Sequence, residues 1–99
     1  MEKILGKMRK GDNIMRSFAY VINDKAGIHA RPAGTVVKTA QKFASDILIK
    51  KGEKEADAKK LMQVMALGVK YGEEITVEVS GDDEETACPA VEAVFREQL

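Results

Sequence analysis

The sequence predicts one α+β domain with the element order β-α-β-β-α-β-α, in which three amphipathic helices cover one face of a four-stranded antiparallel sheet. Two observations lead to this class. Stretches in which apolar residues alternate with polar ones, the period of a strand, are separated by stretches in which apolar residues recur at offsets of three and four, the period of a helix. The chain has 99 residues, which is enough for one hydrophobic core but not for two.

The first predicted elements are a strand, a helix and a second strand. Phe18, Tyr20 and Ile22 alternate within residues 17–23, as in a half-buried strand. An amphipathic helix of about three turns follows. Its apolar positions are Ala33, Val36, Val37, Ala40 and Phe43. Pro32 suits the first turn of this helix, because the N–H that proline lacks has no partner there. Residues 46–51 predict the second strand.

The middle of the chain predicts a polar strand, a short helix and a clearly alternating strand. Gly52 offers a turn into a charged strand over residues 53–56, which suits a sheet edge. Asp57 is the predicted N-cap of a short helix that ends at Gly68. Residues 74–80 predict a strand whose apolar residues all lie on one face: Ile75, Val77 and Val79.

A helix is predicted after Gly81, because the acidic residues 82–85 suit a helix N-terminus and apolar residues then recur at helical spacing. Those apolar residues are Ala87, Ala90, Val91, Val94 and Phe95. Pro89 leaves two alternatives, since an interior proline costs about 3 kcal/mol. Either the helix begins as late as Thr86 or its first turns are distorted.

Residues 1–14 differ in composition from the rest, and we predict a flexible N-terminal extension followed by a folded domain over residues 15–99. Four basic residues cluster in the extension: Lys3, Lys7, Arg9 and Lys10. Gly6 and Gly11 would interrupt a helix there. The alternative is a short apolar stripe that faces a partner or a membrane surface: Ile4, Leu5 and Met8.

Charge and cysteine content argue against several functional classes. Sixteen basic residues balance sixteen acidic ones, so the chain lacks the positive charge expected of a nucleic-acid-binding protein. Cys88 is the only cysteine, so it cannot form an internal disulfide, and with one histidine it provides too few ligands for a typical zinc site. The sequence has no stretch of transmembrane length and no secretory signal pattern. We therefore expect a cytoplasmic protein.

The only histidine, His29, lies at the predicted junction between the first strand and the first helix. A helix start attracts anions through its free N–H groups and its positive dipole end. A neutral imidazole also keeps a lone pair that can attack phosphorus. Gly27 permits a tight turn and Arg31 offers guanidinium donors, although a lone histidine is more often an ordinary surface residue and Arg31 an ordinary solvated charge. His29 is the candidate nucleophile.

Two motifs now point to a known family. Residues 27–33, GIHARPA, and residues 61–68, LMQVMALG, together with the element order, resemble HPr, the histidine phosphocarrier of the bacterial phosphoenolpyruvate-dependent sugar phosphotransferase system. The resemblance covers residues 15–99 and implies an open-faced β-sandwich. It also implies that His29 accepts a phosphoryl group on Nδ1 from enzyme I and passes it to IIA domains of sugar permeases.

The resemblance assigns further roles around His29. Arg31 would orient the phosphoryl group, and the backbone N–H groups of Ala30 and Arg31 would face it. Such a protein is a covalent intermediate in a relay rather than a free-standing enzyme. It needs no metal or organic cofactor, binds no nucleic acid and is expected to be a monomer.

The second helix is the surface that the resemblance assigns to partners. Leu61, Met62 and Met65 would form an apolar patch that contacts enzyme I and IIA domains. The ordinary alternative is that they belong to the core. A short helix cannot bury every side, and we expect Val64 and Leu67 to pack inward while the other three stay at least partly exposed.

Two departures from the family pattern concern control and local contacts. Lys60 stands where many Gram-positive relatives have a serine that an ATP-dependent kinase phosphorylates, so this switch is expected to be absent. Ala26 stands where relatives often have a polar residue, which predicts the loss of a local hydrogen bond.

Two other functions remain open: a carrier in a regulatory chain that moves no sugar, and an HPr-like regulatory module that acts by docking.

Overall fold

Residues 16–99 are described by a computed structural model, so the predicted extension over residues 1–14 lies outside the described residues. The elements are β1 (Arg16–Val21), α1 (Ala30–Ala40), β2 (Asp46–Lys51), β3 (Lys54–Asp57), α2 (Leu61–Ala66), β4 (Glu74–Ser80) and α3 (Glu84–Gln98). Their order is the predicted β-α-β-β-α-β-α. The predicted strands over 46–51 and 74–80 are confirmed at both ends.

The strands form one antiparallel sheet in the order β1-β4-β2-β3. The charged strand β3 lies at an edge, as its composition predicts. In the register of the sheet, Phe18 is opposite Val77 and Tyr20 is opposite Ile75, so the apolar residues of β1 and β4 share one face.

The hydrophobic core lies between that face of the sheet and the helices. Buried residues of β2 and β4 form the sheet side: Ile47, Ile49, Ile75, Val77 and Val79. Buried residues of α1 and α3 form the helix side: Ala33, Val36, Val37, Ala40, Ala87, Val91 and Phe95. The alternate residues of β4 remain exposed or half-exposed on the opposite face. The domain is therefore the predicted open-faced sandwich.

The predicted N-cap Asp57 is wrong. Asp57 ends β3, and the N-cap of α2 is Lys60, whose side chain makes no capping hydrogen bond. The carboxylate of Asp57 instead accepts the N–H of Lys59 at 2.9 Å, and its carbonyl accepts the N–H of Lys60 at 3.0 Å. Aspartate stabilises turns through such local bonds as readily as it caps helices, and here the turn precedes the helix.

The alternative of a late start for the last helix is also wrong. α3 begins at Glu84 with Asp83 as its N-cap, so Pro89 lies inside the helix. Proline removes the N–H that would bond to the carbonyl of Glu85. Pro89 and Glu85 are both exposed, so water can reach that carbonyl. The solvent-facing position makes the proline tolerable.

Other boundaries shift by one to three residues. β1 ends at Val21: the N–H of Ile22 still bonds to the Glu73 carbonyl at 3.0 Å, in register with β4, but the N–H of Asn23 bonds to the Leu99 backbone oxygen at 2.5 Å. α1 ends at Ala40, while Phe43 lies beyond the helix and still packs against the core. Neither shift moves an apolar residue out of the core.

Candidate functional site

His29 is the N-cap residue of α1, at the junction that the sequence predicts. Its backbone is extended, with φ −124° and ψ −175°, and its carbonyl accepts the N–H of Ala33 at 2.9 Å as the first hydrogen bond of the helix. Its imidazole is 45% exposed. The ring is therefore held at the end of a rigid element and remains open to a reaction partner.

The first turn of α1 presents free donors beside this ring. The N–H groups of Ala30 and Arg31 have no acceptor within residues 16–99, and Pro32 has no N–H to offer. The first turn also contains no acidic residue. A helix start of this kind concentrates positive partial charge, which favours an anion beside His29.

Arg31 lies in the same turn and is exposed. Within the described part of the chain, no carboxylate lies within 4.0 Å of its guanidinium. Its carbonyl accepts the Thr35 hydroxyl at 3.3 Å, a bond within the helix that leaves the side chain unconstrained. The guanidinium adds a full positive charge to the partial charges of the helix start.

The loop before His29 is anchored to the segment that follows α2. Ile28, which is buried, donates its N–H to the carbonyl of Val69 at 3.0 Å. Gly27 has φ +72°, and a Cβ built on it would lie 2.5 Å from that same carbonyl oxygen. Only glycine fits this backbone conformation and this close approach. The loop therefore positions His29 through a main-chain contact.

Asp24 lies beside His29, although no motif or periodic pattern in the sequence indicates it. Its Oδ2 lies 3.7 Å from Nε2 of His29, and its Oδ1 accepts the N–H of Ala26 at 2.8 Å. The second bond shows that Ala26 keeps a local hydrogen bond through its main chain. An aspartate two residues before a turn N–H is a recognisable turn signal, and it could have placed this carboxylate near His29.

The exposure of α2 agrees with the prediction. Leu61, Met62 and Met65 are exposed, Met62 at 76%, whereas Val64 is only 1% exposed and Leu67 is buried. We call the three exposed residues the α2 patch. The chain leaves α2 through Leu67 and reaches Val69, which holds the His29 loop. The patch and the imidazole therefore lie on elements that are directly joined.

The two lysines before α2 differ in their surroundings. Lys59 extends its ammonium to the carbonyl of Phe43 at 2.8 Å, so this side chain joins two loops. Lys60 is exposed and provides no hydroxyl at the helix start. A residue that a serine kinase could modify is therefore missing at this position.

A second polar cluster lies beyond the C-terminal end of α1, away from His29. The carboxylate of Asp83 accepts the Ser45 hydroxyl and the N–H groups of Ser45 and Ala44, the last at 2.8 Å. These bonds, the Ser45 hydroxyl first, hold the pKa of Asp83 below its ordinary value. The cluster fastens the start of β2 to the start of α3.

Cys88 is buried. Burial, with the Glu92 carboxylate, raises the pKa of its thiol. The raised pKa keeps the thiol protonated and unreactive.

No group of three or more potential metal ligands occurs within residues 16–99, and no helix in that range is long and apolar enough to cross a bilayer.

Comparison with known proteins identifies the family. Residues 16–97 match the sequence model described as the PTS HPr component phosphorylation site. The chain belongs to the HPr family. HPr of Mycoplasma capricolum subsp. capricolum, named phosphocarrier protein HPr, is 44% identical over 77 residues, which is 78% of this chain and 86% of that protein.

Solved structures of HPr share the fold. The histidine-containing phosphocarrier protein of Mycoplasma superposes with a TM-score of 0.81 at 40% identity and covers 83% of this chain and 93% of its own. An HPr described as a dimer, from Thermoanaerobacter tengcongensis, has a TM-score of 0.68 at 33% identity and covers 99% of this chain and 97% of its own. The chain is therefore an HPr phosphocarrier of the phosphotransferase system.

Proposed function

We propose that His29 accepts a phosphoryl group on Nδ1 from phosphorylated enzyme I and passes it to IIA domains of sugar permeases. The observation that carries this proposal is the half-exposed imidazole of His29 at the start of α1, beside the free N–H groups of Ala30 and Arg31. An imidazole supplies the nucleophile, and the helix start supplies a site for the phosphoryl oxygens.

The transfer step needs little covalent machinery. The lone pair on Nδ1 forms a bond to phosphorus while the N–P bond of the donor phosphohistidine breaks, and the electron pair of that bond returns to the donor imidazole. Positioning and charge stabilisation dominate such in-line transfers. A small domain with a rigid helix start can therefore serve as carrier, and the step uses no metal or organic cofactor on this chain.

Arg31 and the two backbone N–H groups have complementary roles in the proposal. The N–H groups of Ala30 and Arg31 are fixed by α1 and donate to the phosphoryl oxygens. The Arg31 guanidinium has freedom to follow the phosphoryl group as it moves between partners, because no carboxylate within residues 16–99 holds it. A charge-assisted contact of this kind is stronger than a neutral hydrogen bond.

The α2 patch is the proposed docking surface for both partners. Leu61, Met62 and Met65 are exposed apolar residues on an element joined to the His29 loop. Methionine side chains adapt to different partner surfaces, which suits a protein that must bind a donor and several acceptors in turn. We propose that the chain does this as a monomer in the cytoplasm, and sedimentation equilibrium of the full chain tests the monomer.

The test is transfer of labelled phosphate. Wild type and His29→Ala are incubated with enzyme I and labelled phosphoenolpyruvate, and a purified IIA domain is then added. We expect an acid-labile, alkali-stable label on the wild type, its passage to the IIA domain, and no label on His29→Ala. Arg31→Ala should take up the label more slowly, while circular dichroism confirms that it folds.

Each part of the proposal can fail separately. A wild-type chain that takes no label would refute the carrier function. A label that persists in His29→Ala would place the phosphoryl group on another residue. A labelled wild type that passes nothing to any IIA domain would favour the alternative of a regulatory chain that moves no sugar.

A further inference from the structure

We propose that Asp24 is a positioning residue for His29: its carboxylate keeps the proton on Nε2, so that Nδ1 is the reacting nitrogen, and it balances the positive charge of the phosphorylated ring. This inference rests on the proposed function, in which His29 carries the phosphoryl group. Asp24 contacts the ring on the side away from the reacting nitrogen.

The geometry makes Asp24 a fixed neighbour of the ring. Its Oδ2 lies 3.7 Å from Nε2 of His29. Its Oδ1 accepts the N–H of Ala26 at 2.8 Å, and its backbone carbonyl accepts the N–H of Gly27 at 2.8 Å. Of the carboxylates in residues 16–99, only that of Asp24 lies within 4.0 Å of the imidazole. The side chain of Asp24 is 32% exposed and the imidazole is 45% exposed, so water screens much of the attraction between them.

The charge balance of the reaction gives this neighbour a role. Nε2 keeps its proton throughout, and Nδ1 forms the bond to phosphorus as the donor's N–P bond breaks. The His29 ring then carries a positive charge, because one nitrogen is bonded to phosphorus and the other to hydrogen. A carboxylate beside Nε2–H stabilises that charge. When the acceptor attacks phosphorus, the His29 ring leaves as neutral imidazole with the proton still on Nε2.

Carboxylate partners act in this way on other functional histidines. A carboxylate beside one ring nitrogen favours the tautomer with its proton on that nitrogen and stabilises the positive form of the ring. At 3.7 Å from Nε2, Asp24 acts by charge attraction rather than through a direct hydrogen bond. The competing explanation is that Asp24 only shapes the turn, through its bond to Ala26. A variant that keeps this bond but loses the charge separates the two roles.

Asp24→Asn is that variant, because asparagine retains Oδ1 as an acceptor for the Ala26 N–H. The matched control is Asp82→Asn, which removes the same charge from an exposed residue next to Asp83, beyond the opposite end of α1. The full-length chain is used for each. One measurement is the rate of phosphoryl uptake from phosphorylated enzyme I, and the other is the ¹⁵N NMR signal of Nε2 in the phosphorylated protein at pH 7.

We expect Asp24→Asn to take up phosphate about fivefold more slowly, the factor that one unit charge at this separation contributes in largely aqueous surroundings. Its Nε2 signal should shift towards the unprotonated form. Asp82→Asn should match the wild type in both measurements. An uptake rate equal to that of the wild type would overturn the proposal. A slower rate with an unchanged Nε2 signal would also overturn it, because the effect would then come from the turn.

The role of Asp24 can still be tested if Asp24→Asn does not fold or if the wild type is not phosphorylated. If circular dichroism shows Asp24→Asn to be unfolded, the wild-type phosphoprotein decides: a protonated Nε2 at pH 7 supports the proposal and an unprotonated one overturns it. If the wild type takes no label, the proposed function fails by itself. The proton on Nε2 in unphosphorylated wild type and Asp24→Asn then still tests whether the carboxylate holds it.

Discussion

Gly27→Ala tests whether the main-chain contact of the His29 loop positions the site. A Cβ at residue 27 would lie 2.5 Å from the Val69 carbonyl oxygen and 3.0 Å from the Cα of Lys70. Both neighbours are backbone atoms and cannot rotate away. The loop must therefore separate from the segment after α2, and the hydrogen bond from Ile28 to Val69, now 3.0 Å, must lengthen.

The loss of folding stability expected for Gly27→Ala has two parts. A non-glycine residue at φ +72° costs about 1–2 kcal/mol. Loss of the Ile28 hydrogen bond adds about 1 kcal/mol. Gly52→Ala is the matched control, because Gly52 has φ +60° but no atom within 4 Å of the new Cβ. It carries only the first part, so Gly27→Ala should be the less stable variant by about 1 kcal/mol, the contribution of the lost hydrogen bond.

Urea unfolding followed by circular dichroism measures both stabilities, and phosphoryl uptake from enzyme I measures the site. We expect the uptake rate of Gly27→Ala to fall by at least about tenfold, because small displacements of a reacting group have large effects on rate. Gly52→Ala should transfer at the wild-type rate. Equal stabilities of the two variants, or an unchanged rate for Gly27→Ala, would refute the idea that this contact positions His29.

Three other predictions follow. The pKa of Asp83 is lower in the folded chain than in the unfolded chain, so its carboxylate stabilises the fold above the unfolded pKa, and this stabilisation is lost as pH falls through the folded pKa. Asp83→Asn should therefore lower the free energy of unfolding at pH 7 more than in acid. Urea unfolding of wild type and variant at the two pH values measures this. Met62→Asp should raise the KM of this chain in phosphoryl transfer from enzyme I by about tenfold, with little change in kcat, because a charge would replace an apolar contact of the proposed docking surface. Folding should be unaffected, since Met62 is 76% exposed. An unchanged KM would exclude Met62 from docking. An HPr serine kinase should leave the chain unmodified, because Lys60 at the start of α2 has no hydroxyl to phosphorylate. Mass spectrometry that shows stoichiometric phosphate within residues 57–68 would contradict this.

Sequence periodicity predicted the fold because burial alternates cleanly. Ile75, Val77 and Val79 lie on one face of β4, and the β2 partners of Val77 and Val79, which are Ile49 and Ile47, are equally buried. Turn chemistry was harder to predict. Asp57 can cap a helix or close a turn with equally local hydrogen bonds, and only the positions of β3 and α2 decide between them. The effect of Pro89 likewise depends on which side of α3 faces water.

Some residues of the candidate site could be predicted from the sequence, and one could not. His29 and Arg31 lie in one short motif and the α2 patch lies in another, so the resemblance of these two motifs to HPr indicated all of them as candidates. Asp24 was missed because its contact with His29 depends on the path of a loop whose turn is set by Gly27 and Val69. The sequence held only a turn signal at Asp24, the aspartate two residues before the Ala26 N–H, and no periodic pattern pointed from it to His29.

The start of α1 departs from the usual rule for stable helices. Serine, threonine, aspartate or asparagine at the N-cap would bond to a free N–H and add about 1 kcal/mol of stability. This chain has histidine there, without a side-chain cap, and no acidic residue in the first turn. The donors left open are those that the proposed phosphoryl group on His29 would use. A phosphoryl group on His29 would itself supply the acceptor that the N-cap lacks, so the missing cap bond in the free protein would favour the phosphorylated form.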